Sequence, residues 1–322
     1  METPINGDEG RCWDLIGVGD IDVDVFLGVT QLAGRDGKVV GKLLGEHPGG
    51  MTANVICAAS RLGAKTAMIG RVGTDLYADI ALSGLRNFEV DTSLVRVIQD
   101  GKTFYCVIML DSSGEKALTA VDTDCRLPQR EDIDPDTLAK ARVVHVMGDN
   151  LETACWVAVE AKKRNTLVSL DLEASTAVHG LQSLKRLLKN TDILFMNGEG
   201  CQIAFGDDSL ASARQALTLG PRVVAITRGA KGAVVVNHTS SIHIDALHEP
   251  VVDTTGAGDC FIGAFLAHYI GGHDLVSTSR YAAAAASYVI GSVGSRTSLP
   301  THEMVLNRIV RTNARTLEEG ES

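Results

Sequence analysis

From Trp13 onward, short β-branched runs take turns with stretches whose apolar residues return near every 3.6 positions, and no other feature constrains the fold as much. Strand-like runs fall at 13–18, 65–71, 143–147, 166–171, 193–196, 223–227 and 233–237. Helical patterns fall between them at 53–62, 76–88, 151–164, 181–189 and 210–219. Parallel strands need a crossover of a dozen residues or more, usually a helix, so this order predicts a doubly wound α/β fold. Its sheet is mainly parallel with helices on both faces. The chain of 322 residues is long enough for one large α/β unit. Residues 13–315 are read as that single domain, with 1–12 and 316–322 as flexible termini.

Two stretches break the alternation. Residues 23–44 and 102–121 hold strand-like runs with no helix between them, joined by turn chemistry at Arg35-Asp36-Gly37 and Asp111-Ser112-Ser113-Gly114. They should form antiparallel ribbons outside the main sheet, a small β-sheet lid made of about 21–44 and 102–123. The last third turns helical, at 257–270, 275–290 and 303–315.

Charge and cysteine usage exclude some partners. With Lys+Arg 30 against Asp+Glu 40, the net charge of −10 disfavours nucleic acid or an anionic membrane surface as the main partner. The seven cysteines are scattered, odd in number and free of C-x-x-C pairs, so they read as buried thiols in a reducing compartment. No apolar run approaches the roughly 18 residues of a membrane helix. The first ten residues are polar and acidic, unlike a targeting segment. A cytoplasmic protein is expected.

The segment from Val252 to Phe261, reading VDTTGAGDCF, is the most informative. Small residues just before a helix let the N–H groups of Gly256, Ala257, Gly258 and Asp259 converge where the helix dipole also favours negative charge. An acid in a first helical turn is favourable in any protein. Here, however, Asp259 stands against a nest suited to phosphate, and its best use is to take a proton from an incoming hydroxyl as a phosphoryl group moves. The common nucleotide signatures are missing: there is no G-x-x-x-x-G-K-[ST], and Gly17-Val18-Gly19 lacks the third glycine of a dinucleotide fingerprint.

At the end of the first strand, Asp20, Asp22 and Asp24 alternate, which would place them on one face at the carboxyl edge where open α/β sheets bind ligands. A solvated acidic turn is the preferred reading for Asp20. Asp24 lies inside an apolar run, where burial without a ligand would be costly. Gly49-Gly50 opens a helix in which Thr52 could serve as N-cap, while Asn54, a poor mid-helix residue, could face the same cleft. The turn Thr227-Arg228-Gly229-Ala230-Lys231-Gly232 is either a bare hairpin or a rest for a nucleotide. Asn197-Gly198-Glu199-Gly200 is either a helix cap or a group able to organise Mg²⁺ through water.

Together these residues resemble the PfkB, or ribokinase-like, carbohydrate kinases. Asp253 to Asp259, followed by Phe261, Gly263, Ala264 and Phe265, is similar to the family's C-terminal signature. Gly49-Gly50 with Ala53-Asn54 is similar to the N-terminal one, followed by Gly70, Gly73 and Asp75. The resemblance extends from about Trp13 to Pro300. It implies a ribokinase-like fold and an ATP-dependent kinase acting on a sugar hydroxyl. Asp259 would be the base, with the amides of Gly256, Ala257 and Gly258 gripping the transferring group. Asp22, Asp24, Gly49, Gly50 and Asn54 would hold the substrate. Thr227, Gly229, Gly232 and Asn197 would serve the nucleotide, with Gly294 covering the adenine. The resemblance also implies Mg²⁺, a monovalent cation such as K⁺ at Asp253 and Thr255, and a homodimer formed through the lid.

Two departures stand out. The family's N-x-x-E motif has Gly200 in place of its acid, so either Glu199 substitutes from the neighbouring position or Mg²⁺ handling differs. Asp22 stands where sugar-specific relatives can carry Asn, an extra charge that Arg71, Lys102 or Arg126 would have to answer. A nucleoside kinase on the same scaffold is an alternative, with Phe26, Phe104 and Tyr105 as candidates to stack on a base. A non-catalytic sugar- or nucleotide-binding regulator is another.

Overall fold

The computed structural model describes residues 10–113 and 115–317. Its main sheet has nine strands in the order Ala314–Thr316, Ser241–Ile244, Ala233–Asn237, Val223–Thr227, Ile193–Asn197, Leu167–Leu172, Ala141–Met147, Trp13–Val18 and Thr66–Ile69. From Val223–Thr227 to Thr66–Ile69 all neighbours run parallel, while the three strands at the other edge pair antiparallel. Along the first strand, Leu15 enters the core on one face and Ile16 the core on the other, as the two-residue period of a strand requires. Met51–Arg61, Ala257–Ile270 and Leu275–Val289 pack into the first core. Leu151–Lys163, Gly180–Lys189 and Leu210–Leu217 pack into the second. Burial on both faces explains why the strands read as continuous apolar runs.

The small sheet runs in the order Lys42–Gly49, Asp22–Gly28, Phe104–Leu110 and Lys116–Val121. It differs from the expected pair of ribbons in two ways. A parallel pairing of Asp22–Gly28 with Phe104–Leu110 joins the two hairpins, and the first hairpin returns through Lys42–Gly49, beyond the expected limit at 44. Gly49 therefore ends a strand of the small sheet, opposite Asp22.

Local details correct other expectations. The run 65–71 breaks at Gly70, where a Cβ would lie 2.6 Å from Ile21 Cδ1, and Arg71–Val72 then pairs with Arg96–Val97 in a separate two-stranded sheet. The expected helix 303–315 is the shorter His302–Ile309, after which the chain turns back as Ala314–Thr316 to extend the main sheet. Thr316 is therefore paired with Ile242, and the Cys12 amide donates to the Lys140 carbonyl at 2.8 Å. The rest of the expected flexible ends, 1–9 and 318–322, and Gly114 of the second turn lie outside the described residues.

One contact positions the site. Helix Ala257–Ile270 crosses Met51–Arg61 at Gly263, where a Cβ would stand 2.3 Å from the Val55 carbonyl oxygen. Glycine permits this close approach, which brings the first turns of both helices together.

Candidate active site

Both helices begin at a glycine of positive φ, 97° at Gly50 and 79° at Gly256, and neither glycine supplies a capping side chain. A Cβ at Gly256 would come within 2.5 Å of Ser295 Cβ. The first helix is nevertheless closed, because Asp20 accepts from the Met51 and Thr52 amides, each at 2.8 Å. Asp20 is buried, so the solvated acidic turn expected for it is corrected. It serves as a cap reaching across 31 residues, which also removes Thr52 from the N-cap role. Among the described residues the second helix has no such plug. The amide of Ala257 donates to the Thr254 carbonyl at 3.2 Å, while those of Gly258 and Asp259 belong to the first turn, where no intrahelical acceptor exists. A Cβ at Gly258 would meet nothing within 4 Å, so the backbone there faces open space.

Asp259 lies in that first turn, and its Oδ2 accepts from Asn54 Nδ2 at 2.8 Å. Burial pushes its carboxyl up to about 7; the nearby Asp20 and Glu173 push the same way, while Asn54 and Arg296 pull down. A group poised there can accept a proton near neutral pH. Asn54 is fixed in turn: its Oδ1 accepts from Arg296 Nε at 2.7 Å and from Ser295 Oγ at 3.0 Å. The Arg296 Nη2 also donates to the Gly49 carbonyl.

Asp22 and Asp24 share one face of their strand with Cys106 of the neighbouring strand. A Cβ at Gly49 would fall 2.1 Å from Asp22 Oδ1, so the glycine makes room for the carboxylates. Burial and the neighbouring Asp24 raise the Asp22 carboxyl well above the usual range, and burial lifts Asp24 to about 6. Asp22 Oδ1 has no partner among the described residues.

Arg296 opposes the upward shift of both Asp22 and Asp24, and Lys116 adds to it at Asp24. Of the three candidates expected from the sequence, Arg71 pairs with Asp132 and Glu131, Arg126 pairs with Asp149 and Asp122, and Lys102 is exposed. Sequence reasoning missed Arg296 because it lies 242 residues from Asn54 in an unremarkable polar loop.

A cavity of about 760 Å³ opens beside Asp259. Thr227, Gly229, Gly232, Asn197 and Glu199 line it, as do Gly258 and Asp259. Its apolar wall comes from Leu247, Val251, Ala286 and Ile290, which the sequence had not marked. Gly294 is not part of this lining: its amide donates to Asp253 Oδ2 at 3.1 Å. Asp253 Oδ1 accepts from the amide and hydroxyl of Thr255, and Lys116 of the small sheet reaches the Thr255 hydroxyl at 3.0 Å.

Asn197 caps its helix through the Gly200 amide at 2.7 Å and donates to Glu173 at 3.2 Å. A Cβ at Gly200 would stand 2.6 Å from the Leu172 carbonyl oxygen, so close packing leaves no room for the motif's acid. Two acids at the preceding strand end, Asp171 and Glu173, face the cavity with the exposed Glu199. Sequence reading missed both. An acid inside the apolar run Val168-Ser169-Leu170-Asp171-Leu172 was the same signal that had marked Asp24.

This arrangement can be set beside known proteins. Residues 15–302 match the family described as pfkB family carbohydrate kinase. The chain is 28% identical to an ATP-dependent ribose-1-phosphate kinase of Halopiger xanaduensis, over 90% of this chain and 96% of that protein. It is 26% identical to a nucleoside kinase of Methanothermobacter thermautotrophicus, over 89% and 92% respectively. Its fold is that of an Arabidopsis thaliana ribokinase complexed with ribose and ATP, at a TM-score of 0.81 and 24% identity, covering 92% of this chain and 98% of that one. A family match over nearly the whole chain places it: the chain belongs to the pfkB family of carbohydrate kinases.

Proposed function

We propose that this protein transfers the γ-phosphoryl group of ATP to a hydroxyl of a small sugar or sugar derivative. One observation carries the reading: Asp259 lines the cavity at the mouth of an uncapped helix, with one oxygen held by Asn54, which Arg296 ties in turn to Gly49 beside Asp22 and Asp24. The nucleotide would rest in the cavity, its base against the apolar wall and its phosphates toward the amides of Gly256, Gly258 and Asp259, with Ala257 completing the turn. The acceptor would bind through Asp22, Asp24 and Asn54, beside Gly49 and Gly50. Asp259 takes the hydroxyl proton as the oxygen attacks phosphorus, and the amide nest carries the growing negative charge. Positioning supplies much of the rate, and the small sheet, acting as a lid, keeps water out.

Mg²⁺ suits the donor set, since Asp171, Glu173 and Glu199 present hard oxygens to the cavity and none of them is ion-paired among the described residues. Bound there with the nucleotide, it would supply neutralisation of the phosphate charge. At Asp253 and Thr255, the site read for K⁺, the Lys116 ammonium already brings a positive charge, 3.7 Å from Asp253 Oδ1. We therefore propose only weak dependence on a monovalent cation.

A homodimer through the lid is supported by the exposure of Val40, Leu43, Leu44 and Leu118 on or beside the small sheet. Cytoplasmic placement is supported by seven free cysteines, and no described helix is long and apolar enough to cross a membrane.

Nucleosides are the second reading. Phe26 and Phe104 lie on the same face of the small sheet as Asp22 and Asp24, whereas Tyr105 lies on the opposite face. ATP turnover against a panel of sugars, sugar phosphates and nucleosides tests the proposal. Sugar-dependent turnover supports it, nucleoside preference favours the second reading, and binding with no turnover on any acceptor leaves a non-catalytic regulator.

A further inference from the structure

Arg296 is only 6% exposed, yet among the described residues none of its hydrogen bonds goes to a carboxylate. It spends Nε on the Asn54 side-chain oxygen and Nη2 on the Gly49 carbonyl, while Nη1 has no partner among the described residues. Sealing a guanidinium inside a protein for neutral acceptors is costly, so its placement calls for a reason. Its charge opposes Asp22 and Asp24, while its hydrogen bonds act one bond further on. An amide oxygen that receives both Arg296 Nε and Ser295 Oγ must turn its nitrogen the other way, where Asn54 Nδ2 meets Asp259 Oδ2 at 2.8 Å. Rotated by half a turn, Asn54 would set an oxygen against the Asp259 carboxylate and an NH₂ against the guanidinium, with two acceptors facing and two donors facing.

We infer that Arg296 is a positioning residue for phosphoryl transfer: it locks the Asn54 amide with its N–H toward Asp259, which ties down one carboxylate oxygen and leaves the other for the acceptor's proton. The inference rests on Asp259 being the base. In the transfer, the acceptor oxygen bonds to the γ-phosphorus, the bond from phosphorus to the β–γ bridging oxygen breaks, and the hydroxyl proton passes to Asp259. Arg296 exchanges no proton. The titratable and charged groups around Asp259 are Asp20, Asp171, Glu173, Cys260 and Arg296; among these Arg296 is the one that favours the ionised base.

The test uses the full chain with Arg296→Met, Arg296→Lys and Asn54→Leu. The readouts are kcat and KM against pH and the ¹⁵N-edited signal of the Asn54 side-chain amide. Arg296→Met should lower kcat by about 10- to 100-fold with little change in the KM for ATP, and should move the ascending limb of the pH profile to higher pH. Part of the loss should return in alkaline buffer. Arg296→Lys, which keeps the charge and one donor, should recover part of the rate and of the limb. If Arg296→Met does not fold, Asn54→Leu cuts the same link from its other end and should show the same displaced limb. A limb that stays in place in the folded variants, whatever the loss of kcat, would overturn the inference by leaving Arg296 a merely structural part. If the wild type phosphorylates nothing, the kinase reading fails by itself. The positioning is still decided by whether the Asn54 amide signal follows the Asp259 titration in the wild type and loses that response in Arg296→Met.

Discussion

The helices Met51–Arg61 and Ala257–Ile270 cross closely and start in the same way, at a glycine of positive φ without its own capping side chain, yet one start is closed and the other open. Asp20 spends both oxygens on the amides of the first. Asp259 is built into the turn of the second, so it cannot cap it from outside, and it gives one oxygen to Asn54. Both carboxyls are raised by burial, so titration alone does not separate them. Under the proposed function, what separates the acid that stabilises from the one that would react is whether backbone donors have consumed its lone pairs.

The largest way to break this comparison is Asp259→Asn. It should fold and bind ATP yet lose kcat by about 10³- to 10⁴-fold in a coupled assay, at the upper end of what a general base contributes. Wild-type turnover should rise as pH passes about 7, since the base must be ionised, and that limb should vanish in the variant. Stability moves in the opposite sense. A carboxyl raised from 3.8 to about 7 binds more protons folded than unfolded across that window, so it lowers stability as pH rises through it. In thermal unfolding, the advantage of Asp259→Asn over wild type should grow from pH 3.8 to about 7 and then level off.

Next comes Gly258→Ala, which tests the open helix start. The new methyl meets no protein atom within 4 Å but intrudes where phosphate oxygens would lie, so kcat should fall by about 10²-fold while the melting temperature holds or rises slightly. An unchanged kcat would mean that the phosphoryl group lies elsewhere. At the closed start, Asp20→Ala leaves one buried and one part-buried amide unsatisfied and should cost about 1–3 kcal/mol in urea unfolding, with a smaller effect on kcat than either change at the open start. The smallest effect is expected for Lys116→Met: a few-fold rise in the acceptor KM and a new dependence on K⁺, checked by exchanging Na⁺ for K⁺ at constant ionic strength.

Much of the frame was legible before any coordinates. The runs 13–18, 223–227 and 233–237 and the helix 257–270 are observed with the same limits, because a buried parallel strand and an apolar helix each carry their own period. The short strands Ser241–Ile244 and Ala314–Thr316 were missed, since the latter holds its place only by pairing with the former. At the site, Asp22 was marked by strand alternation, Asp24 by lying inside an apolar run and Asp259 by the small residues before its helix, all of them short-range features of their own segments. Arg296, Glu173 and the capping role of Asp20 were not, because their partners lie far away along the chain.

The sequence by itself determined which segments would be strands and helices, where the backbone would need glycine, and that an acid would stand at a helix mouth. Those are short-range matters of period, steric room and dipole. Only the tertiary structure decided which helix start stays open, which cation answers the acids and which way the Asn54 amide faces. These depend on hydrogen bonds that span 31 to 242 residues, and such bonds exist only once segments far apart in the chain have packed together.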